Sequence, residues 1–204
     1  LKSYINDVNK LKDRYKDKIK INVGAEVDYV EGFEKEIKSL LDEYGKYLED
    51  GILSVHMIKI KDEYYCMDFS SEEFEKIVNL LGSIQSVYNL YYDTLIKAVN
   101  ADLGEYKPKR IGHLNLVRKY NKKFPYDYSK NKKLEELVKL ISEKEYELDY
   151  NVAGLFKEDC GEVYISGYLA ELIKKYNIKV VLGSDSHSSK FIDKYKMYTM
   201  EGIL

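Results

Sequence analysis

The sequence predicts an α/β fold in which parallel strands alternate with amphipathic helices. Short apolar runs are separated by segments of about ten to twenty residues with apolar side chains at helical spacing, a pattern typical of parallel α/β architecture. The clearest run is Val180-Val-Leu-Gly-Ser-Asp-Ser-His187, in which an apolar strand stops at Gly183 and delivers Asp185 and His187 together. Gly183 is expected to let the backbone turn tightly beneath these two side chains.

Helices and strands alternate from the start of the chain. Apolar side chains at helical spacing predict a helix over residues 4–15, and the following apolar run predicts a strand over residues 19–26. A second helix is predicted over residues 33–48, and the pair Asp50-Gly51 is expected to end it before a strand over residues 52–56.

The remainder of the chain continues this order. Residues 59–69 are compatible with a short hairpin, and Ser70-Ser-Glu-Glu73 is typical of a capping box that begins a helix. The remaining predicted elements are, in order, a helix at 84–99, a strand at 110–113, a helix at 134–141, a segment at 146–154 that begins as a strand and ends in a turn of small residues, a helix at 169–176 and a strand at 180–183. The total is five parallel strands, too few to close a barrel.

Length and composition predict one soluble domain over residues 1–204. The chain is 33% charged with a net charge of −2 and only two prolines, which excludes disordered and collagen-like classes. No apolar run is long enough to cross a bilayer, and the N-terminal residues lack the pattern of a signal peptide. Cys66 and Cys160 lack metal-finger spacing. A cytoplasmic protein without disulfides is therefore expected.

All three histidines follow short apolar runs, and a carboxylate follows a fourth. His56, His113 and His187 are the three histidines. Catalytic residues of parallel barrels come from the carboxyl ends of several strands, so these side chains are expected to converge. Imidazole and carboxylate groups bind hydrolytic metal ions. The predicted metal site comprises Glu26, His56, His113, Asp185 and His187. The alternative for any one of them is structural: a helix cap, a salt bridge or a satisfied histidine.

Five motifs in the chain support a family resemblance. They are Gly24-Ala-Glu-Val-Asp-Tyr29, Ser54-Val-His56, Arg110-Ile-Gly-His-Leu-Asn-Leu-Val-Arg118, Glu147-Leu-Asp-Tyr-Asn-Val-Ala-Gly154 and Gly183-Ser-Asp-Ser-His187. In this order they resemble the motifs of the PHP superfamily, and within it those of the histidinol-phosphate phosphatases. The resemblance implies a distorted seven-stranded (β/α) TIM-like barrel with up to three metal ions at the strand carboxyl ends. It also implies hydrolysis of L-histidinol phosphate to L-histidinol and phosphate, a step of histidine biosynthesis.

The resemblance also implies residue roles. Glu26 would bridge two metal ions, and His56 and His113 would bind separate ions. Asp185 and His187 would complete the coordination shells at the catalytic centre. Mixed nitrogen and oxygen ligands suit zinc, iron or manganese.

The chain departs from the family pattern at three points. Family members open with a His-x-His motif and carry another histidine after the second strand, and neither is present here. We therefore expect the first βα units to be missing, in agreement with the start at Leu1 and the five strands. Asn115 replaces the usual Asp of a Gly-His-x-Asp motif, at a position expected to contact a ligand rather than to bind metal. By itself the chain is expected to be a poor phosphatase with incomplete metal occupancy.

A basic stretch surrounds the His113 motif. Residues 107–133 contain ten Lys or Arg side chains and one acid, Asp127. One interpretation is a field that attracts a phosphorylated substrate, with Arg118 resembling the family's phosphate-contacting arginine. The other is an ordinary solvated surface. Nucleic-acid binding is not expected, because no recognised binding fold accompanies the charge.

Two classes of function are compatible with the sequence. The first is a metal-dependent phosphatase acting on L-histidinol phosphate or on another phosphorylated substrate. The second is a non-catalytic PHP-type module that serves binding or interaction. The complete set of carboxyl-terminal ligands favours the phosphatase, because a non-catalytic module has no chemical reason to keep five metal ligands together.

Overall fold

In a computed structural model of the protein, which describes residues 1–190, five parallel strands form one sheet and two antiparallel strands form a hairpin. The strands are β1 (Gly24–Asp28), β2 (Asp50–Ser54), β3 (Met57–Ile60), β4 (Glu63–Cys66), β5 (Arg110–Ile111), β6 (Glu147–Asn151) and β7 (Val180–Gly183). The helices are α1 (Lys2–Tyr15), α2 (Glu34–Tyr44), α3 (Ser71–Leu81), α4 (Ile84–Asn100), α5 (Lys132–Glu143) and α6 (Gly167–Lys175).

The strand order of the sheet is β1-β2-β5-β6-β7, and every neighbouring pair is parallel. The predicted α/β class and the five parallel strands are thereby confirmed. The β3–β4 hairpin lies between β2 and α3, where a hairpin was expected. Within residues 1–190 the sheet is open, with β1 and β7 as its two edges. All five strands run in the same direction, so their carboxyl ends form one edge of the sheet.

The register places a continuous apolar row across the sheet. Its members are neighbours from strand to strand, in the order Val27, Leu53, Ile111, Leu148 and Val180. All five belong to the hydrophobic core or pack against it, together with the apolar faces of the helices. Burial of this row with the apolar side chains of α2 to α6 supplies hydrophobic free energy that holds these helices against the sheet.

The opposite face of the sheet is polar, because side chains alternate between faces along a strand. Glu26 and Asp28 flank Val27 on β1, and Asp149 follows Leu148 on β6. The Asp149 side chain is buried, as is Asn151 two residues later. Polar groups are therefore concentrated on the face opposite the apolar row.

The first strand lies later in the chain than the sequence predicts. β1 covers Gly24–Asp28 rather than residues 19–26. Val23 explains the shift: its carbonyl accepts from the amides of Glu49 and Asp50, and its own amide donates to the Glu49 carboxylate at 2.9 Å. These bonds tie Val23 to the segment entering β2, and ladder pairing starts only at Gly24. Glu26 consequently lies within the strand rather than at its end.

The helices follow the predicted pattern closely. At the start of α3 the Ser70 hydroxyl accepts a hydrogen bond from the Glu73 amide at 3.1 Å, which is the N-cap half of the predicted capping box. Helix α4 is the central core helix, and its buried side chains include Tyr88, Tyr91 and Leu95. None of the helices described over residues 1–190 combines the length and the apolar character needed to span a membrane.

Candidate metal centre

Glu26, His56 and His113 meet at the carboxyl edge of the sheet. Glu26 is the third residue of β1. His56 and His113 each lie two residues beyond the end of a strand, β2 for His56 and β5 for His113. Because β2 lies between β1 and β5, three segments that are distant in sequence place their side chains over one point of the polar face.

The ligand atoms of these three residues all lie within 4.8 Å of one another. His113 Nε2 is 3.1 Å and His56 Nε2 is 3.7 Å from the same oxygen, Oε1 of Glu26. The two imidazole rings are close as well, with centroids 4.8 Å apart in an edge-on arrangement. Two imidazole nitrogens and a carboxylate oxygen form a donor set that suits zinc and other divalent transition metals. The residues present therefore fit a divalent cation.

The Glu26 carboxylate is strongly stabilised in its ionised form. The hydrogen bond with His113 is the main cause, and this bond with the charges of both histidines lowers the pKa of Glu26 from its ordinary value of 4.5 to about 2, against the opposing effect of burial. The carboxylate is consequently anionic at neutral pH and needs no deprotonation to bind a cation.

His56 is held by a second carboxylate. Its Nδ1 atom is 2.9 Å from Oδ1 of Asp28. Burial alone lowers the pKa of His56, but the hydrogen bond and charge of Asp28, with smaller effects of Asp68 and Glu26, raise it above its ordinary value. Each ring nitrogen of His56 therefore faces a carboxylate: Nδ1 faces Asp28 and Nε2 faces Glu26.

His113 is the most deeply buried of the three, with a side chain 3% exposed. Its ring lies edge-on to Tyr164, with 6.2 Å between centroids. Its Nδ1 atom is buried and has no hydrogen-bond partner among residues 1–190. Glu26 is therefore the polar partner that orients the His113 ring.

Asp185 and His187 lie just beyond β7, also at the carboxyl edge of the sheet, but they do not join the three-residue group. Asp185 stands two residues past its strand end, the same offset as His56 and His113, and has a φ of 50°. His187 Nδ1 contacts the Asp185 carbonyl at 3.0 Å, and the His187 side chain is 85% exposed. Of the five predicted residues, Glu26, His56 and His113 therefore lie in mutual contact, whereas Asp185 and His187 follow β7 without joining them.

Gly183 has a different role from the predicted tight turn. It is the last residue of β7, and a Cβ atom at this position would overlap the carboxylate of Asp149 on the neighbouring strand. Asn151 donates to that carboxylate at 3.0 Å. Burial raises the pKa of Asp149. The glycine therefore makes room for a buried acid beneath the site.

Asp28 and Asp149 were not singled out by the sequence analysis. Both lie in strands within the motifs that carry the family resemblance, at alternate positions to apolar core residues. The sequence signal for both residues is an acidic side chain that alternates with apolar core side chains along a strand.

Asn115 is fully buried beside the site. Its side-chain oxygen accepts a hydrogen bond from the Tyr92 hydroxyl at 2.7 Å. Its Nδ2 atom has no hydrogen-bond partner among residues 1–190. Asn115 thus connects the turn after His113 to the core helix α4.

Arg118 ends a short 3-10 turn, Leu116–Arg118, that follows His113. Its Nε atom donates to the Glu162 carboxylate, and its guanidinium carbon lies 4.4 Å from the centroid of the Tyr128 ring. Burial alone lowers the pKa of Arg118, but the hydrogen bond and charge of Glu162, with smaller effects of Tyr88 and Tyr128, together raise it above its ordinary value. Arg118 is therefore a permanently charged group that is already partly paired.

Most of the basic stretch has partners within the fold. Five of its ten Lys and Arg side chains form ion pairs with acids outside the stretch, namely Arg110 with Asp50, Arg118 with Glu162, Lys119 with Asp68, Lys123 with Asp159 and Lys133 with Asp93. Lys107 donates to three carbonyls at the end of α4, and burial, with the nearby lysines, lowers its pKa to about 8. This pairing favours a structural role for the stretch over a field directed at the substrate.

Comparison with known proteins defines the class to which this fold and site belong. The model of the PHP domain family matches residues 1–153. The chain therefore belongs to the PHP domain family.

Several proteins that resemble this chain carry the name histidinol phosphatase. The chain is 41% identical over 193 residues to histidinol-phosphatase of Bacillus subtilis, a match that covers 93% of this chain and 71% of the relative. A crystal structure assigned as the histidinol phosphatase HisK of Listeria monocytogenes superposes with a TM-score of 0.91 at 34% identity, covering 97% of this chain and 75% of that one. The Lactococcus lactis enzyme, solved with zinc, L-histidinol and phosphate, has a TM-score of 0.67 at 25% identity, covering 91% and 66%.

Proposed function

We propose that the chain is a metal-dependent phosphomonoesterase that hydrolyses L-histidinol phosphate to L-histidinol and phosphate. The observation that carries this proposal is the convergence of Glu26, His56 and His113, whose ligand atoms lie within 4.8 Å of one another. The Bacillus relative supports the choice of substrate, and so does the Lactococcus structure that contains L-histidinol and phosphate.

The proposed metal ligands are Glu26, His56, His113, Asp185 and His187, for up to three divalent ions. Zinc, iron and manganese all suit this donor set, and zinc is the ion in the Lactococcus structure. Divalent cations in such a site supply a water molecule of lowered pKa and offset the negative charge of the phosphoryl group.

The chain's own residues prepare the site for this chemistry. Glu26 is anionic across the neutral range, because its pKa is lowered to about 2. Its two oxygens can therefore contact two cations without first losing a proton. The buried His113 ring is fixed between Tyr164 and Glu26, which limits the entropy lost when its nitrogen binds a cation.

Asp185 and His187 are proposed to complete the coordination of the metal ions. Support comes from the position of Asp185, two residues beyond β7 at the same edge of the sheet. Within residues 1–190 the His187 ring contacts only Asp185, and the side chain is 85% exposed. The ring can therefore rotate toward a metal ion at low energetic cost.

Arg118 is proposed to bind the phosphate of the substrate. Its Nε atom is occupied by Glu162, and Nη1 makes only a long contact of 3.5 Å with the Tyr126 carbonyl. The guanidinium therefore keeps donors available for a phosphate oxygen. The Tyr128 ring lies against the guanidinium and restricts its orientation.

The test is phosphate release from L-histidinol phosphate by the purified chain, with zinc, iron or manganese added and with chelator. We expect metal-dependent release that is strongly reduced in Glu26→Gln, and turnover below about 1 per second, because the chain alone is expected to be a poor phosphatase. Metal binding together with turnover of other phosphomonoesters but not of L-histidinol phosphate would overturn the substrate. Absence of both metal binding and turnover would overturn the function.

A non-catalytic PHP module is the second candidate. The separation of Asp185 and His187 from the three-residue group favours it. Stoichiometric metal binding without hydrolysis of any phosphomonoester is the result that this candidate predicts, and metal analysis alongside the assay distinguishes the two.

A further inference from the structure

Asp28 makes two hydrogen bonds to a single residue, His56. Its Oδ1 atom lies 2.9 Å from Nδ1 of the imidazole and accepts from the His56 backbone amide at 3.2 Å. Asp28 is the last residue of β1 and pairs in register with Ser54, the last residue of β2. The parallel register therefore brings the carboxylate to the turn that carries the histidine.

A carboxylate acceptor determines which nitrogen of a neutral imidazole carries the proton. Asp28 accepts at Nδ1, so the proton resides there and Nε2 keeps its lone pair. Nε2 is the atom that faces Glu26, at 3.7 Å. The same contact orients the ring and presents the unprotonated nitrogen to the site.

We propose that Asp28 is a positioning residue that fixes the tautomer and orientation of His56 for metal binding. The proposal rests on the metal centre of the proposed function. A carboxylate that hydrogen-bonds the outer nitrogen of a ligating histidine raises the basicity of the ligand and holds its ring in place.

The neighbouring charged residues leave His56 as the ion-pair partner of Asp28 among residues 1–190. In the part of the chain that the structure describes, Asp28 forms its ion pair with His56 and with no lysine or arginine. Asp68 also acts on His56 through its charge, but its oxygens are engaged by Lys119 at 2.9 Å and by the Cys66 thiol at 3.3 Å. Asp28 alone therefore contacts the ring directly as a second carboxylate.

His113 provides an internal comparison. Its Nδ1 atom is buried and has no hydrogen-bond partner among residues 1–190, so no acceptor of this kind selects its tautomer. A change at Asp28 should therefore alter the nitrogen resonances of His56 and leave those of His113 nearly unchanged.

The experiment uses nitrogen-15 NMR of the metal-free chain and zinc titration of the same samples. The variants are Asp28→Ala, which removes the acceptor, and Asp28→Asn, which keeps an acceptor oxygen without the charge. Glu31→Gln is the matched control, because it removes one negative charge three residues away on a side chain that pairs with Lys97.

We expect the wild-type chain and Glu31→Gln to show His56 protonated at Nδ1, and Asp28→Ala to lose that preference. Zinc affinity should fall about 10- to 100-fold in Asp28→Ala and by less in Asp28→Asn. If Asp28→Ala fails to fold, the zinc affinity of Asp28→Asn is the deciding measurement. A zinc affinity of Asp28→Asn equal to that of Glu31→Gln would contradict the proposal.

An unchanged His56 tautomer in folded Asp28→Ala would overturn the positioning role. This result is distinguishable from failure of the proposed function: if the wild-type chain binds no zinc, the metal centre is wrong, and the NMR comparison still decides whether Asp28 selects the tautomer.

Discussion

His113 Nε2 lies 3.1 Å from Glu26 Oε1, although the two residues are 87 positions apart in the sequence. The contact crosses from β1, over the intervening β2, to the turn that follows β5. It joins the most buried histidine of the site to the carboxylate that both histidines share.

Glu26→Gln should remove most metal binding and activity. The amide keeps the shape of the side chain but offers no negative charge, so both cation affinity and kcat/KM should fall at least about 100-fold, more than is typical for an outer-shell change. Metal content of the purified variant and phosphate release measure this. Glu36→Gln, an exposed change on α2, is the control and should retain wild-type values. Wild-type metal content in Glu26→Gln would exclude Glu26 as a ligand.

The pair should also contribute a pH-dependent part of the stability of the metal-free chain. The folded pKa of Glu26, about 2, lies below its ordinary value of 4.5, so the stabilisation is present above pH 4.5 and is lost as the pH falls toward 2. Because the Glu26 side chain is 34% exposed, solvent screening reduces the effect to the order of 1–2 kcal/mol. Urea unfolding of wild type and Glu26→Gln from pH 6 to pH 2 should show a shrinking difference in free energy of unfolding. A constant difference would contradict the assigned pKa.

Gly183→Ala should destabilise the chain. The added methyl group would overlap the Asp149 carboxylate, and such overpacking costs about 1–3 kcal/mol. Gly24→Ala in β1 is the matched control, because its nearest contact would be the Asp50 carbonyl oxygen at 3.3 Å and should cost less. Chemical denaturation compares the two. Adding Asp149→Ala to Gly183→Ala should relieve the overlap, and a fully additive double mutant would show that the two residues do not conflict.

Arg118→Ala should lower kcat/KM for L-histidinol phosphate by about one to three orders of magnitude, the scale of a lost charge-assisted contact. The variant also leaves the Glu162 carboxylate unpaired, so stability must be measured beside activity. Arg118→Lys keeps the charge without the planar fork and should recover part of the activity. Wild-type kinetics in a destabilised Arg118→Ala would assign the residue to structure alone.

The basic stretch should contribute little to substrate capture. Half of the cations in the stretch are paired with acids. We therefore expect kcat/KM to change less than about threefold between an ionic strength below and one above about 0.1 M, at which the Debye length is ~10 Å. The measurement is the salt dependence of phosphate release, with Lys130→Gln as a charge control within the stretch. A steep loss of kcat/KM with salt would restore the electrostatic-field interpretation.

Much of the fold could be predicted because its signals are local. Apolar spacing located α4, and the Ser70 capping pattern located the start of α3, since both depend on residues within one or two turns of helix. The start of β1 was predicted too early, because the bonds between Val23 and Glu49 that divert the chain join residues 26 positions apart. A prediction based on neighbouring residues in the sequence cannot detect a hydrogen-bond partner that is so distant in the chain.

The sequence by itself determined the alternation of helices and strands, the residue types available for a metal site and their position near strand ends. Only the tertiary structure decided that Glu26, His56 and His113 meet while Asp185 and His187 remain apart from them, and that Asp28 rather than another acid holds His56. The reason is physical: residue type and periodicity are properties of short segments. Ligand geometry depends on strand order and register, which are set by burial of one apolar row across strands far apart in the chain.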